Sequence, residues 1–182
     1  MSTRIVDFYK YLDKLKRTKR AGWVNVGIQD SESVSDHSFS TSVLSMILAP
    51  KLKVNTEKFI KMALIHDIGE SIIGDVLWYD KENGINREIL SKKEKDESAA
   101  MKKILELLGS DEYIDLWKEM EEKKTREAKM HKEIDRLDLA LQAYFNERRT
   151  GVNLDGLIDY ADKFIESDEI MEIMKEIRKS RK

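Results

Sequence analysis

Cysteine is absent from this chain of 182 residues, which excludes disulfides, thiolate metal ligands and cysteine nucleophiles. Proline occurs once, and no run approaches the roughly 18 consecutive apolar residues of a membrane span. Met1-Ser2-Thr3-Arg4 leads straight into an amphipathic run with no secretory signal pattern, so a cytoplasmic protein with no membrane partner is expected. A charge excess of one sign is missing too, since 33 basic residues stand against 35 acidic ones. That balance argues against a nucleic-acid polymer or a polybasic membrane patch, and leaves room for a small phosphorylated ligand in one pocket. Strand-like alternation is nearly absent, and there is no internal repeat and no low-complexity linker. The expectation is an all-α, single-domain helical bundle over residues 1–182.

What is present is a series of amphipathic segments punctuated by glycine. A first helix over residues 3–16 carries Ile5, Phe8, Tyr9, Leu12 and Leu15 as its apolar stripe. Ala21 to Gly27 reads as an ordered loop, in which Trp23 is either a core plug or a ligand platform. Ser35 is the expected N-cap of a second helix, with Phe39, Val43, Leu44, Ile47 and Leu48 inward and Pro50 as its stop. Asn55 or Thr56 caps a third helix that runs to Gly69. Asp75 either caps a helical turn at Val76-Leu77-Trp78 or serves as a site carboxylate. Residues 80–90 read as a loop around Asn83-Gly84 with a short helical piece. Ser91 to Glu94 has capping-box spacing for a helix to Leu108, and Ser110 caps the next. Thr125 starts a long helix to Arg149 with two apolar faces, which marks it as central. Its polar stripe is His131, Asp135, Asp138 and Gln142. After Gly151 the apolar phase shifts near Ser167 or Asp168, where a break is expected, and Met171, Met174 and Ile177 form a candidate subunit contact.

The chemistry concentrates in Leu64-Ile65-His66-Asp67-Ile68-Gly69-Glu70. Burying an imidazole and two carboxylates without partners costs several kcal/mol each, roughly, and a divalent cation is the natural compensation. A core histidine beside a capping aspartate is the alternative. His37, His66, Asp67 and Asp135 together offer two imidazoles and two carboxylates from three separate segments. Such mixed nitrogen and oxygen donors suit one divalent ion, Mn²⁺, Co²⁺, Fe²⁺, Ni²⁺ or Zn²⁺. Adjacent residues project about 100° apart on a helix, so His66 and Asp67 reach one ion only near a helix end, which Gly69 supplies.

Arg20-Ala21-Gly22-Trp23, Glu32 to His37, Ala63 to Glu70, Gly74-Asp75 and Ile134-Asp135 together resemble the HD-domain metal-dependent phosphohydrolases, and within them the 5′-deoxynucleotidase branch. The resemblance runs from about residue 8 to residue 150. It implies an all-α HD-type bundle, usually a homodimer, that hydrolyses deoxyribonucleoside 5′-monophosphates. By the same resemblance His37, His66, Asp67 and Asp135 are the metal ligands. Glu70 holds or deprotonates the attacking water, or protonates the leaving oxygen. Asp75 sits beside the sugar, excluding ribonucleotides or assisting catalysis, and Arg20 and Trp23 contact the phosphate and the nucleotide. His131, one turn before Asp135, has no counterpart in that pattern, and Asp138 reads as a salt-bridge partner rather than a ligand. Two rival readings remain, an HD hydrolase acting on another nucleotide or phosphate ester, and a scaffold that binds metal or nucleotide without turnover.

Overall fold

The computed structural model describes residues 2–80, 84–109 and 111–181. In order, the elements are α1 (Ser2–Leu15), α2 (Ala21–Asn25), α3 (Val34–Leu52), α4 (Thr56–Ile65), α5 (Glu70–Ile73), β1 (Tyr79–Asp80), β2 (Gly84–Ile85) and α6 (Arg87–Leu105). A 3-10 turn (Glu106–Leu108) follows, then α7 (Glu112–Glu122), α8 (Arg126–Thr150), α9 (Asp155–Asp162) and α10 (Asp168–Ser180). The fold is all-α as expected. Its strands are a two-residue antiparallel pair, Tyr79 opposite Ile85 and Asp80 opposite Gly84, where a loop with a helical piece was expected. The chain divides into two compact units, residues 1–38 with 64–118, and residues 39–63 with 119–182.

In the first unit, α1 packs on α5 and on the 3-10 turn, and α5 packs on α6. Leu15, Ala100, Met101, Ile104 and Leu105 are buried here, whereas Ile5 and Tyr9 of the proposed α1 stripe are exposed. Residues 21–25 form a short helix rather than a loop. The segment before it pairs with the segment before α3: Lys19 bridges Ser33, Val34 N–H donates to Thr18 O at 2.8 Å, and Arg20 N–H donates to Glu32 O at 3.2 Å. Ser33, not Ser35, caps α3. Its N–H and hydroxyl both donate to Asp36 Oδ2 at 2.8 Å, and its Oγ accepts from Asp36 N–H at 3.2 Å, a reciprocal capping arrangement. Likewise Asn86 caps α6 by accepting from Ile89 N–H, so that helix starts four residues before the expected box at Ser91. Gly109, left-handed at φ 66°, closes the 3-10 turn, and the proposed Ser110 cap lies outside the described residues.

In the second unit, α8 is central, flanked by α9 and α10. Thr125 caps α8 as expected, its side chain accepting from Ala128 N–H. The chain breaks between Asp162 and Asp168, where the apolar phase shifts. Glu133, buried on α8, accepts from Ser167 N–H at 3.1 Å and from its hydroxyl at 2.5 Å, which ties down the start of α10. Met174 and Ile177 of the expected contact stripe are buried with Ile170 in the core of this unit, whereas Met171 is half-buried.

Two departures concern α3. It runs two residues past Pro50, because a proline this close to the end removes a single late hydrogen bond. Its buried face is Val34, His37, Thr41, Ser45, Leu48 and Leu52, while Phe39 and Ile47 of the expected face are exposed, Phe39 at 70 %. One side of a helix recurs every three to four residues, so a register with His37 inward turns Phe39 outward.

Gly69 opens the approach of α6 to the start of α5. A Cβ there would lie 3.1 Å from Met101 Cγ, 3.2 Å from Met101 Sδ and 3.3 Å from Glu97 Cγ. Gly69→Val is expected to cost about 1–3 kcal/mol of stability through overpacking. Urea denaturation reads this directly, and an unchanged midpoint would contradict the tight contact.

Candidate metal centre

The third helix was expected to reach Gly69. Instead α4 stops at Ile65, and residues 66–69 form a turn with Ile68 N–H donating to Ile65 O at 3.2 Å and Glu70 N–H to Asp67 O at 3.0 Å. The early stop lets two consecutive side chains reach one point. His66 Nε2 lies 3.1 Å from Asp67 Oδ2 and 3.2 Å from His37 Nε2, and His37 Nε2 lies 3.7 Å from Asp67 Oδ2. The imidazoles meet edge to face with ring centroids 5.2 Å apart. His37 and His66 are both buried.

These spacings test the fit of a cation. Ligand atoms about 2.0–2.2 Å from one ion stand roughly 3.0–3.5 Å from each other when their directions are 90–110° apart. Two of the three edges, 3.1 and 3.2 Å, fall in that range and the third, 3.7 Å, is slightly longer; two nitrogens with one carboxylate oxygen are a donor set for a first-row divalent ion. The residues present therefore fit such an ion. His37, His66 and Asp67 are one group among the described residues that could hold it, and Asp67 with Glu70 and Glu97 is another.

Arg20 joins the site through the Lys19–Ser33 bridge described above. Its guanidinium lies 3.3 Å from Asp67 Oδ2 and 3.8 Å from Asp75 Oδ2. Asp75 follows Gly74, whose φ of 78° is left-handed and turns the chain sharply out of α5. Asp75 Oδ2 accepts from Ala21 N–H at 2.8 Å. Residues 76–78 are not helical, so of its two expected uses the cap of a turn there is not realised. Of the two uses open to Trp23, the structure shows the core plug. The ring is 1 % exposed and its Nε1–H donates to Glu32 Oε1 at 2.7 Å.

Glu70, the first residue of α5, is 2 % exposed. Its Oε1 lies 3.5 Å from Lys93 Nζ, and its Oε2 is buried with no hydrogen-bond partner among the described residues. Burial, then the charges of Asp67 and Asp75, push the Glu70 carboxyl well above the usual carboxylate range, against the pull of Arg20 and Lys93. Burial also works against ionised Asp67. There His66, by charge and hydrogen bond, with Arg20 and His37, prevails and holds the carboxyl well below its ordinary value.

Lys93 and Glu97 escaped the sequence reading, which spent this stretch on a helix start. Lys93 Nζ lies 3.0 Å from Glu97 Oε2, and both side chains are largely buried. A signal was available, since Lys93 and Glu97 stand four apart in phase with buried Ala100, Met101 and Ile104. Asp135, His131 and Asp138 are all buried on α8, in the second unit, as the polar-stripe reading expected of a central helix. Asp135 Oδ2 lies 3.6 Å from Arg136 Nη1.

The profile of the HD domain family matches residues 12–178, across both units. The chain belongs to the HD domain family. A protein of Dictyostelium discoideum named 5′-deoxynucleotidase HDDC2 is 38 % identical over 151 residues, 79 % of this chain and 78 % of the relative. Its namesake in Xenopus laevis is 36 % identical, covering 97 % of this chain and 87 % of the relative. A solved structure from Magnetospirillum magnetotacticum, titled a predicted metal-dependent phosphohydrolase, superposes with a TM-score of 0.74. It is 25 % identical and the match covers 98 % of this chain and 91 % of that one.

Proposed function

We propose that this HD domain protein is a metal-dependent 5′-deoxynucleotidase that hydrolyses deoxyribonucleoside 5′-monophosphates to deoxyribonucleosides and phosphate. The observation that carries the reading is the convergence of His37, His66 and Asp67 within 3.1–3.7 Å, beside a buried glutamate with one oxygen uncommitted. The substrate class is supported by the names of the Dictyostelium and Xenopus relatives. His37, His66 and Asp67, with Asp135 as the fourth ligand, hold one divalent ion, drawn from Mn²⁺, Co²⁺, Fe²⁺, Ni²⁺ and Zn²⁺. Bound there, the ion supplies Lewis-acid polarisation of the phosphoryl group.

The remaining work falls to the chain's own side chains. Glu70 Oε2 takes a proton from the attacking water as its oxygen bonds to phosphorus, and the P–O5′ bond breaks. The same proton passes to the leaving oxygen, so the carboxylate is restored, the alcohol leaves neutral, and the phosphate leaves as hydrogen phosphate carrying the water's other proton. Arg20, already among carboxylates, offers a planar fork to the phosphate oxygens. Asp75 borders the sugar and disfavours a 2′-hydroxyl. Trp23, buried, acts by fixing the Arg20 segment rather than by stacking on the base.

Residues 1–182 constitute one HD domain in this reading, working in the cytoplasm. No described helix is long and apolar enough to cross a membrane. The protein is a homodimer, and with Met174 and Ile177 of α10 buried, the exposed Phe39, Met46 and Ile47 side of α3 is the better contact surface. Sedimentation velocity at micromolar concentration is expected to show a two-chain particle; a single-chain particle removes the dimer. The activity itself is read by phosphate release from a panel of deoxyribonucleotide and ribonucleotide monophosphates and deoxyribonucleoside triphosphates with Mn²⁺ or Co²⁺. Turnover is expected for the deoxyribonucleoside monophosphates above all. Equal release from the ribonucleotides would defeat the deoxy selectivity, and release confined to other esters would defeat the substrate class.

A further inference from the structure

We propose that Lys93 is a positioning residue for Glu70, held to that task by Glu97. The proposal rests on the reading of Glu70 as the group that handles the water's proton. A lysine is rarely buried unless it is paired, and this one lies among carboxylates. Its ammonium is 3.0 Å from Glu97 Oε2 on its own helix and 3.5 Å from Glu70 Oε1 on α5. The Lys93–Glu97 pair fixes the ammonium one turn apart on a rigid helix, and Gly69 lets that helix approach the start of α5 closely. The two oxygens of Glu70 are thereby made unequal: Oε1 is drawn to Lys93, and Oε2 has no hydrogen-bond partner among the described residues. An anchored carboxylate presents its second oxygen in one orientation, whereas an unanchored one samples several. Lys93 thus selects the rotamer of Glu70 without touching substrate or ion.

The experiment compares Lys93→Met, Lys93→Arg and Glu97→Gln in the parent and in a Glu70→Gln background, using Co²⁺-loaded protein. It measures kcat and KM for phosphate release from dAMP, bound cobalt per chain, and melting temperature. Lys93→Met is expected to lower kcat about 10- to 100-fold, the range for loss of a side chain that orients a site ligand, with KM and cobalt content unchanged. Lys93→Arg restores most of the loss, because it keeps the charge in place. Glu97→Gln lowers kcat in the same direction but less. In the Glu70→Gln background neither substitution lowers kcat further, since both act through that carboxylate. Parental kcat in Lys93→Met, a loss expressed only in KM, or an equal further loss in the Glu70→Gln background would overturn the role of Lys93. Should Lys93→Met not fold, Glu97→Gln in the two backgrounds decides the same point. The two readings separate cleanly. If Glu70→Gln alone keeps parental kcat, the reading of Glu70 fails and takes this one with it. If Glu70→Gln collapses turnover while Lys93→Met does not, only the role of Lys93 fails.

Discussion

Two imidazole nitrogens and a carboxylate oxygen cannot be buried at 3.1–3.7 Å from one another without something to balance them. That constraint orders the rest of the first unit. Arg20 is one answer, placing a guanidinium against Asp67. A divalent ion is the fuller one, because it satisfies both lone pairs and the carboxylate at once. The local backbone follows from the same need. α4 stops early so that neighbours in sequence become neighbours around a point, and α3 takes the register that turns His37 inward even though this leaves Phe39 in solvent.

Around that centre the charges are layered. Asp67 is held ionised by its cationic neighbours, while Glu70, deeper and closer to other carboxylates, resists ionisation. Two acidic side chains three residues apart are thus driven in opposite directions by their surroundings. Lys93 is the cation on the far side of Glu70, and burial, which alone would lower its pKa, is overcome by Glu97, Asp67 and Glu70, which raise it. It therefore remains a fixed positive charge. Trp23 contributes from beneath, its indole locked on Glu32 next to the strand-like pairing that carries Arg20.

The helical class was legible because charge and apolar periodicity agreed along most of the chain, and the burial of His131, Asp135 and Asp138 followed from the two apolar faces of α8. Helix ends were less legible. Ser35 and Ser91 each looked like caps, but Ser33 and Asn86 had the better geometry, one through reciprocal bonds with Asp36 and the other ahead of an earlier helix start. The inward face of α3 was misread for a clear reason: hydrophobicity favoured Phe39 and Ile47, whereas close packing favoured the smaller Thr41 and Ser45 in phase with His37. The histidine–aspartate pair was visible as a polar pair in an apolar run. Lys93 and Glu97 were not, because a lysine and a glutamate four apart usually decorate a solvated helix, and only their phase with Met101 and Ile104 distinguishes them.

The central claim is a single divalent ion shared by side chains from distant parts of the chain. Anomalous diffraction at the cobalt edge, from crystals of protein loaded with Co²⁺, tests it most directly. One strong peak is expected about 2.0–2.2 Å from His37 Nε2, His66 Nε2 and Asp67 Oδ2, with a carboxylate oxygen of Asp135 completing the set. A cobalt-loaded protein whose peak lies elsewhere, or whose Asp135 is remote from it, would contradict the account.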